Sequence, residues 1–124
     1  MRIVSHRRLV EFYSSEGHGD AQSALERWYD IAEKAEWKNL SDIKADFPTT
    51  DYVGNQHYVF DIRGNKYRLV VVVKFTIGHI FIRFVGTHSE YDKIENNMKN
   101  ILKIKNIFLI SFESQNYFVT LQPK

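Results

Sequence analysis

The spacing of apolar residues changes near His57, and this change limits the possible folds more than any other feature of the chain. Before it, apolar residues recur every three or four positions, as in helices buried on one side, whereas residues 57–85 alternate as strands do. Helices followed by consecutive strands predict an α+β fold, in which N-terminal helices pack on one face of a small antiparallel β-sheet. A chain of 124 residues suits one such core.

Three helical segments are predicted in the first half of the chain. The first covers residues 6–14, and the second covers residues 21–36, with a third helical turn ending before Pro48 because the residue before a proline disfavours helix. The candidate N-caps are Ser5, Asp20 and Ser41. The predicted buried stripe of the second helix comprises Ala21, Ala24, Leu25, Trp28, Ile31, Ala32 and Ala35.

Three strands are predicted after the change in spacing, over residues 57–62, 66–74 and 79–85. Gly64-Asn65 is a tight-turn pair that joins the first two strands, and Thr76-Ile77-Gly78 joins the last two. The middle strand is apolar on both faces, so it is predicted to be central. The three strands should therefore form an antiparallel meander.

Residues 95–124 support two interpretations. Met98, Ile101, Leu102 and Lys105 have helical spacing, whereas residues 107–112 and 117–121 are rich in β-branched and aromatic side chains, as strands are. We expect a chain that stops after about residue 95 to remain folded. The alternative is that residues 107–112 add a strand that the core requires.

Composition excludes several classes of protein. The chain has no cysteine, which rules out disulfides, a thiol nucleophile and thiolate metal sites. No stretch is long and apolar enough to span a bilayer, and no apolar signal core follows the N-terminus, so a cytoplasmic location is expected. Residues 1–56 carry seven Lys/Arg and ten Asp/Glu, whereas residues 57–94 carry six and three. The basic strand region suits a polyanionic partner. The alternative is an ordinary solvated surface, which the charge alone favours.

Two arginines on the predicted strands are candidates for binding a phosphate. Strand alternation places Lys66, Arg68 and Lys74 on one face, and a second alternation places Arg83 with His79, Phe81 and Val85. If the strands are neighbours, Arg68 and Arg83 share a concave face. The alternative is that both are edge charges whose apolar stems pack on the sheet.

The segment Gly86-Thr87-His88-Ser89-Glu90-Tyr91-Asp92 follows the last predicted strand. Its His88 can exchange a proton near neutral pH, and its Tyr91 can stack on a base or donate a hydrogen bond. In the alternative interpretation, Thr87 or Ser89 caps a short helix over residues 90–94 and Tyr91 packs in the core.

Two runs of residues give the chain a resemblance to a known family. They are Gly64-Asn65-Lys66-Tyr67-Arg68-Leu69-Val70 and Ile82-Arg83-Phe84-Val85-Gly86-Thr87-His88-Ser89-Glu90-Tyr91-Asp92-Lys93-Ile94. With Ala24-Leu25-Glu26-Arg27-Trp28-Tyr29 and Lys44-Ala45-Asp46-Phe47-Pro48, they resemble the HigB family of toxins from bacterial type II toxin–antitoxin systems. The resemblance covers residues 1–94, which predicts a toxin domain there and a C-terminal extension over residues 95–124.

The resemblance implies a RelE-like fold and a messenger-RNA endonuclease that acts in the ribosomal A site. It implies inhibition by a HigA-like helix-turn-helix antitoxin, through which the complex binds operator DNA. The implied chemistry needs no metal and no cofactor: the 2′-hydroxyl attacks the adjacent phosphate and a 5′-hydroxyl leaves. A base must take the 2′ proton, cations must stabilise the charge on phosphorus, and an acid must protonate the leaving oxygen.

Within that chemistry, Arg68 and Arg83 suit charge stabilisation and His88 suits the acid or base. Tyr91 would stack on or orient a base, or assist proton transfer, which makes it the fourth catalytic candidate. The RNA-binding candidates are Arg63, Lys66, Lys74 and Asp92, of which Lys66 would hold a flanking phosphate and Asp92 would orient His88 or cap the loop. The competing class is an inactive RelE-like protein that binds RNA or an antitoxin without cleavage.

Overall fold

The computed structural model describes residues 1–94 of the chain. The predicted helix or strands within residues 95–124 lie outside the described residues. The strands are β1 (Arg2–Val4), β2 (Asp51–Gly54), β3 (His57–Ile62), β4 (Tyr67–Lys74) and β5 (His79–Thr87). The helices are α1 (His6–Ser14), a 3-10 turn (Gly19–Ala21), α2 (Gln22–Lys34) and α3 (Leu40–Asp46), followed by α4, which is described over residues 88–94.

The strands form one sheet in the order β1-β5-β4-β3-β2. Strands β2 to β5 pair antiparallel, and β1 pairs parallel with β5 at one edge. The predicted α+β architecture, the meander of β3, β4 and β5, and the central position of β4 are therefore confirmed. Strands β1 and β2 were not predicted, because three or four residues are too few to show an alternating pattern.

The main hydrophobic core lies between the helices and one face of the sheet. The predicted stripe of α2 supplies Leu25, Trp28 and Ala32, which are buried against side chains of β3, β4 and β5. The rings of Trp28 and Phe60 meet edge to face, with centroids 5.4 Å apart. Because helices cover this face, the chemistry predicted for β4 and β5 falls to the ends of the strands and the opposite face.

Ser5 is confirmed as the N-cap residue of α1, although its backbone is left-handed with φ 81° and its side chain makes no capping bond. The other two predicted N-caps are wrong. Asp20 lies within the 3-10 turn and binds other partners, described below. Ser41 lies inside α3, whose cap is Asn39: the Asn39 side chain accepts a hydrogen bond of 2.9 Å from the backbone N–H of Asp42. Phe47 ends α3 before Pro48, as predicted.

The turn between β3 and β4 is longer than the predicted pair. Ile62 pairs with Tyr67, so Arg63 to Lys66 form the turn and Lys66 is not part of the strand. Gly64 has φ 66°, as the turn prediction requires, and the second left-handed residue is Arg63 rather than Asn65. Lys66 therefore lies at the tip of a hairpin.

A β-bulge at Arg83 changes the facing of β5. Val70 pairs with Phe84, whereas the next residue, Val71, pairs with Ile82, so Arg83 is the extra residue. Phe84 packs with Val70 on the face away from the helices, and Val85 packs on the helix side. The prediction that His79, Phe81, Arg83 and Val85 share one face is therefore wrong, because the bulge interrupts the alternation.

Candidate active site

One end of the sheet brings together six of the eight candidate residues. Arg68 pairs with Gly86, and Tyr67 pairs with Thr87, so the start of β4 lies beside the end of β5. The backbone N–H of His88 donates a 3.0 Å hydrogen bond to the carbonyl of Lys66. The residues grouped around this end are Arg63, Lys66, Arg68, His88, Tyr91 and Asp92.

A capping box starts α4. The backbone N–H of Thr87 donates to the Glu90 carboxylate at 2.9 Å, and the N–H of Glu90 donates to the Thr87 hydroxyl oxygen at 3.1 Å. The sequence alternative in which Thr87 caps a helix is thus confirmed, with the helix starting at residue 88 instead of 90. The cap fixes the backbone that carries His88.

His88 and Asp92 lie one helical turn apart and contact each other. Nδ1 of His88 is 3.0 Å from a carboxylate oxygen of Asp92, and the two side chains are 38% and 51% exposed. Because a carboxylate only accepts, a neutral His88 carries its proton on Nδ1. Its Nε2 is then the atom that can accept a proton.

Arg68 is held by two oxygens. Its Nη1 donates to the carboxylate of Asp61, the residue opposite it on β3, and to the Asn65 side-chain oxygen at 2.8 Å. The arginine side chain is 16% exposed, so the guanidinium group is largely fixed. Within residues 1–94, Nη2 and Nε make no such bond, and these are the donors that could meet a phosphate.

A second group of charged side chains, centred on Asp20, involves the same hairpin as the Arg68–Asp61 ion pair. One oxygen of Asp20 contacts Nζ of Lys66 and, at 3.2 Å, Nε of Arg63, while the other accepts from the Tyr67 hydroxyl. The hydrogen bonds from Lys66 and then Tyr67 lower the pKa of the Asp20 carboxyl to about 2. The same contact with Asp20 raises the pKa of Lys66 and of Tyr67. At neutral pH, Asp20 is therefore ionised and Lys66 is charged.

Arg83 is not the cross-strand partner of Arg68, which pairs with Gly86. It lies in the bulge and lines an open groove of about 490 Å³ between α1 and β5. Arg8 of α1 donates to the backbone carbonyl of Arg83 at 3.1 Å, and the Nε atom of Arg83 is buried. The bulge moves Val85 to the helix side of the sheet, and the shared face of Arg68 and Arg83 stays a prediction.

Lys74 is also separate from the grouped residues. It ends β4 and donates to the side-chain oxygen of Gln56. Seven steps along a strand place it about 23 Å from Tyr67. An RNA contact by Lys74 would have to involve a nucleotide well away from His88.

Tyr91 is 7% exposed and packs with Val59 and Val70 on the sheet face away from the helices. This position matches the alternative in which Tyr91 is a core residue. Its suggested part in stacking on a base stays a prediction.

Another histidine differs from His88 in its environment. His57 is fully buried, and its Nδ1–H donates to the carbonyl of Asn55 at 2.6 Å. Burial lowers the pKa of its imidazole to about 4, so His57 is neutral at pH 7. Unlike His88, it is closed to a substrate.

Sequence reasoning missed three partners of the site: Asp20, Asp61 and Glu90. Asp61 could have been found by counting back through the hairpin, because the pairing of Ile62 with Tyr67 brings it opposite Arg68. Glu90 completes a Thr-x-x-Glu pattern, which is a sequence signal for a capping box. No sequence signal joins Asp20 to a turn 46 residues away.

Within residues 1–94, no three His, Cys, Asp or Glu side chains form a group that could hold a metal ion. None of the described helices is long and apolar enough to cross a membrane.

The backbone at Gly86, just before α4, has no room for a side chain. A Cβ there would lie 2.5 Å from the Phe84 ring and 2.7 Å from a Glu90 carboxylate oxygen. We expect Gly86→Ala to lower the free energy of unfolding in urea by about 1–3 kcal/mol, because the ring and the capping box must both shift. Gly19→Ala is the control: nothing lies within 4 Å of its Cβ position, so its effect should stay within about 0.5 kcal/mol. Equal stability of both variants would contradict the steric argument.

Comparison with known proteins links this geometry to a family. The family described as "HigB_toxin, RelE-like toxic component of a toxin-antitoxin system" matches residues 21–94. The chain is 32% identical over 95 residues to "mRNA interferase toxin HigB" of Escherichia coli (strain K12), covering 74% of this chain and 88% of that protein. It is 27% identical over 73 residues to "mRNA interferase HigB" of Escherichia coli O6:H1, covering 57% of this chain and 71% of that protein.

Proposed function

The chain belongs to the HigB family of RelE-like toxins, and from that premise we propose that it cleaves messenger RNA by transesterification without a metal. The observation that carries the proposal is that an imidazole–carboxylate pair, His88 and Asp92, follows the strand end that lies beside Lys66 and Arg68. Such a site can move a proton and bind a phosphate at the same place.

The proposed reaction starts with the 2′-hydroxyl of one nucleotide. Its proton passes to a base, its oxygen bonds to the adjacent phosphorus, and the bond from phosphorus to the 5′-oxygen breaks. The leaving oxygen takes a proton, which yields a cyclic phosphate and a free 5′-hydroxyl. His88 is the group in this site that can either accept or donate a proton, and Asp92 orients its ring.

The cations have a different task in the proposal. Negative charge grows on the phosphate oxygens as the 2′-oxygen attacks, and donors already fixed in place stabilise that charge best. Arg68 is fixed by Asp61 and Asn65, so it is the first candidate. Lys66, at the hairpin tip, would bind a flanking phosphate. Arg83 would act from the groove beside α1 and is the less direct candidate.

The partners follow from the family. As the toxic component of a toxin–antitoxin system, the protein has an antitoxin as partner. We propose that this antitoxin is a HigA-like helix-turn-helix protein that carries the complex to operator DNA, and that the substrate is mRNA on the ribosome. We also propose that residues 1–94 are the toxin domain, since the family match ends at residue 94, and that residues 95–124 are an extension of it.

The test compares two substrates. Purified protein should cleave mRNA on programmed ribosomes, leave 5′-hydroxyl ends and work in the presence of a chelator. The same mRNA without ribosomes should be cleaved far more slowly. Equal cleavage of free RNA would refute ribosome dependence. Binding of ribosomes without any cleavage would favour the inactive RNA-binding alternative.

A further inference from the structure

Three donors converge on the carboxylate of Asp20 from a distant part of the chain. Asp20 lies in the 3-10 turn before α2, while Lys66 and Tyr67 are 46 and 47 residues further on. Arg63, on the same hairpin turn, is the third donor. The contact therefore joins the helical layer to the hairpin tip that lies beside His88.

The position of this carboxylate is fixed by the core. The Tyr67 side chain is fully buried, and its hydroxyl donates to Oδ1 of Asp20. Phe12 and His18 pack edge to face on the Tyr67 ring, with centroids 5.3 and 5.9 Å away. Because aromatic packing holds the tyrosine, Oδ1 is anchored and Oδ2 points in a defined direction.

Oδ2 in turn gathers two cations. It contacts Nζ of Lys66 and Nε of Arg63, whose side chains are each 54% exposed. One carboxylate thus holds two positive groups and leaves about half of each open to solvent. Because Asp20 is also bonded to the hydroxyl of the buried Tyr67, its carboxylate stays in place while the exposed part of each cation is open to a phosphate.

The backbone of Lys66 is bonded to the backbone of the proposed catalytic histidine. The carbonyl of Lys66 accepts the hydrogen bond from the backbone N–H of His88. We propose that Asp20 is a positioning residue, which holds Lys66 and Arg63 together as a binding site for the phosphate that flanks the cleaved bond. The inference rests on the proposed function, because it names the residue that organises the RNA contact of that same site.

The experiment measures KM and kcat for cleavage of mRNA on programmed ribosomes. Asp20→Asn keeps an oxygen for Tyr67 but removes the charge that gathers the cations. A flanking phosphate is bound equally before and during the reaction, so KM should rise roughly tenfold while kcat stays within about twofold. Tyr67→Phe, which loosens the anchor only, should raise KM by about threefold.

The control is Asp30→Asn, which breaks an ion pair of 3.1 Å with Lys34 on α2, away from the site. It should leave KM and kcat unchanged. In a background of Arg63→Ala and Lys66→Ala, Asp20→Asn should raise KM by less than about twofold, because the groups that it positions are gone. Melting temperatures of all variants are recorded alongside.

Three results of the kinetic measurements would overturn the inference: an unchanged KM for Asp20→Asn, a lower KM, as a masking carboxylate would give, or an equal effect in the double-alanine background. Cosedimentation with the same ribosomes separates this inference from the function. Wild-type protein that binds but does not cleave would refute the proposed function alone. Equal ribosome affinity of wild type and Asp20→Asn would refute the positioning role alone.

Discussion

Replacing His88 by alanine is expected to reduce mRNA cleavage by about 10²–10⁴-fold, the loss that follows removal of a general acid or base. The side chain is 38% exposed and, within residues 1–94, forms its ion pair with Asp92 on the same helix, so the variant should fold normally. The rate is measured on programmed ribosomes, and the melting temperature is measured on the same preparation. Asp92→Asn should cause a smaller loss, because it weakens the orientation of the ring and leaves the ring in place.

His79→Ala is the matched control for this prediction. His79 begins β5, at the opposite end of the strand from Thr87, and its ring contacts Phe81. Its removal should leave the cleavage rate within about twofold, as expected of a surface change away from a site. A well-folded His88→Ala protein that cleaves at the wild-type rate would remove His88 from the mechanism.

Replacing Arg68 by alanine is expected to slow cleavage by about 10²–10³-fold, by analogy with the loss of an oxyanion donor. Lysine at this position should restore part of the rate, because it supplies charge without a planar fork of donors. Asp61 loses its partner in Arg68→Ala but is 29% exposed, so water can replace the contact and stability should change little. The cleavage rate and the melting temperature are again measured on the same preparation.

Arg83→Ala tests the second arginine on the same scale. The sequence pattern predicts loss of growth arrest and cleavage with the fold intact, and partial rescue by lysine. In the alternative, Arg83 is a packing residue, because its Nε is buried and it lies in the bulge. Arg83→Ala would then have a lower melting temperature and full activity per folded molecule. Loss of cleavage in a stable Arg83→Ala protein would instead show that the groove beside α1 belongs to the RNA path.

The parts of the fold that could be predicted are those whose sequence pattern lies within one short segment. Strand β3 has the predicted bounds, and the turn before β5 ends at Gly78 with φ 68°, because alternation and turn residues are properties of short segments. Strand β1 is defined by its pairing with β5, and three residues are too few to predict that pairing. The wrong cap at Asp20 has a similar cause: its side chain is suitable for capping, but donors from a distant turn bind it instead.

The candidate site shows the same division. Lys66, Arg68 and His88 lie together because the antiparallel pairing of β4 and β5 places the start of one strand beside the end of the other. That pairing could be predicted from the sequence. The one-residue bulge at Arg83 puts the later residues of β5 on the faces opposite to those that alternation predicts. No alternation pattern can show a bulge whose flanking residues are all apolar.

The parallel pairing of β1 with β5 has a consequence for synthesis. Arg2 pairs with His79, so the first strand to be made has no partner until nearly the whole described region has been translated. The hairpins of β3, β4 and β5 involve neighbouring segments and can close early, whereas contacts between distant segments form slowly. The amino-terminal strand therefore cannot join the sheet before β5 has been made, so the first strand to be translated depends on the last.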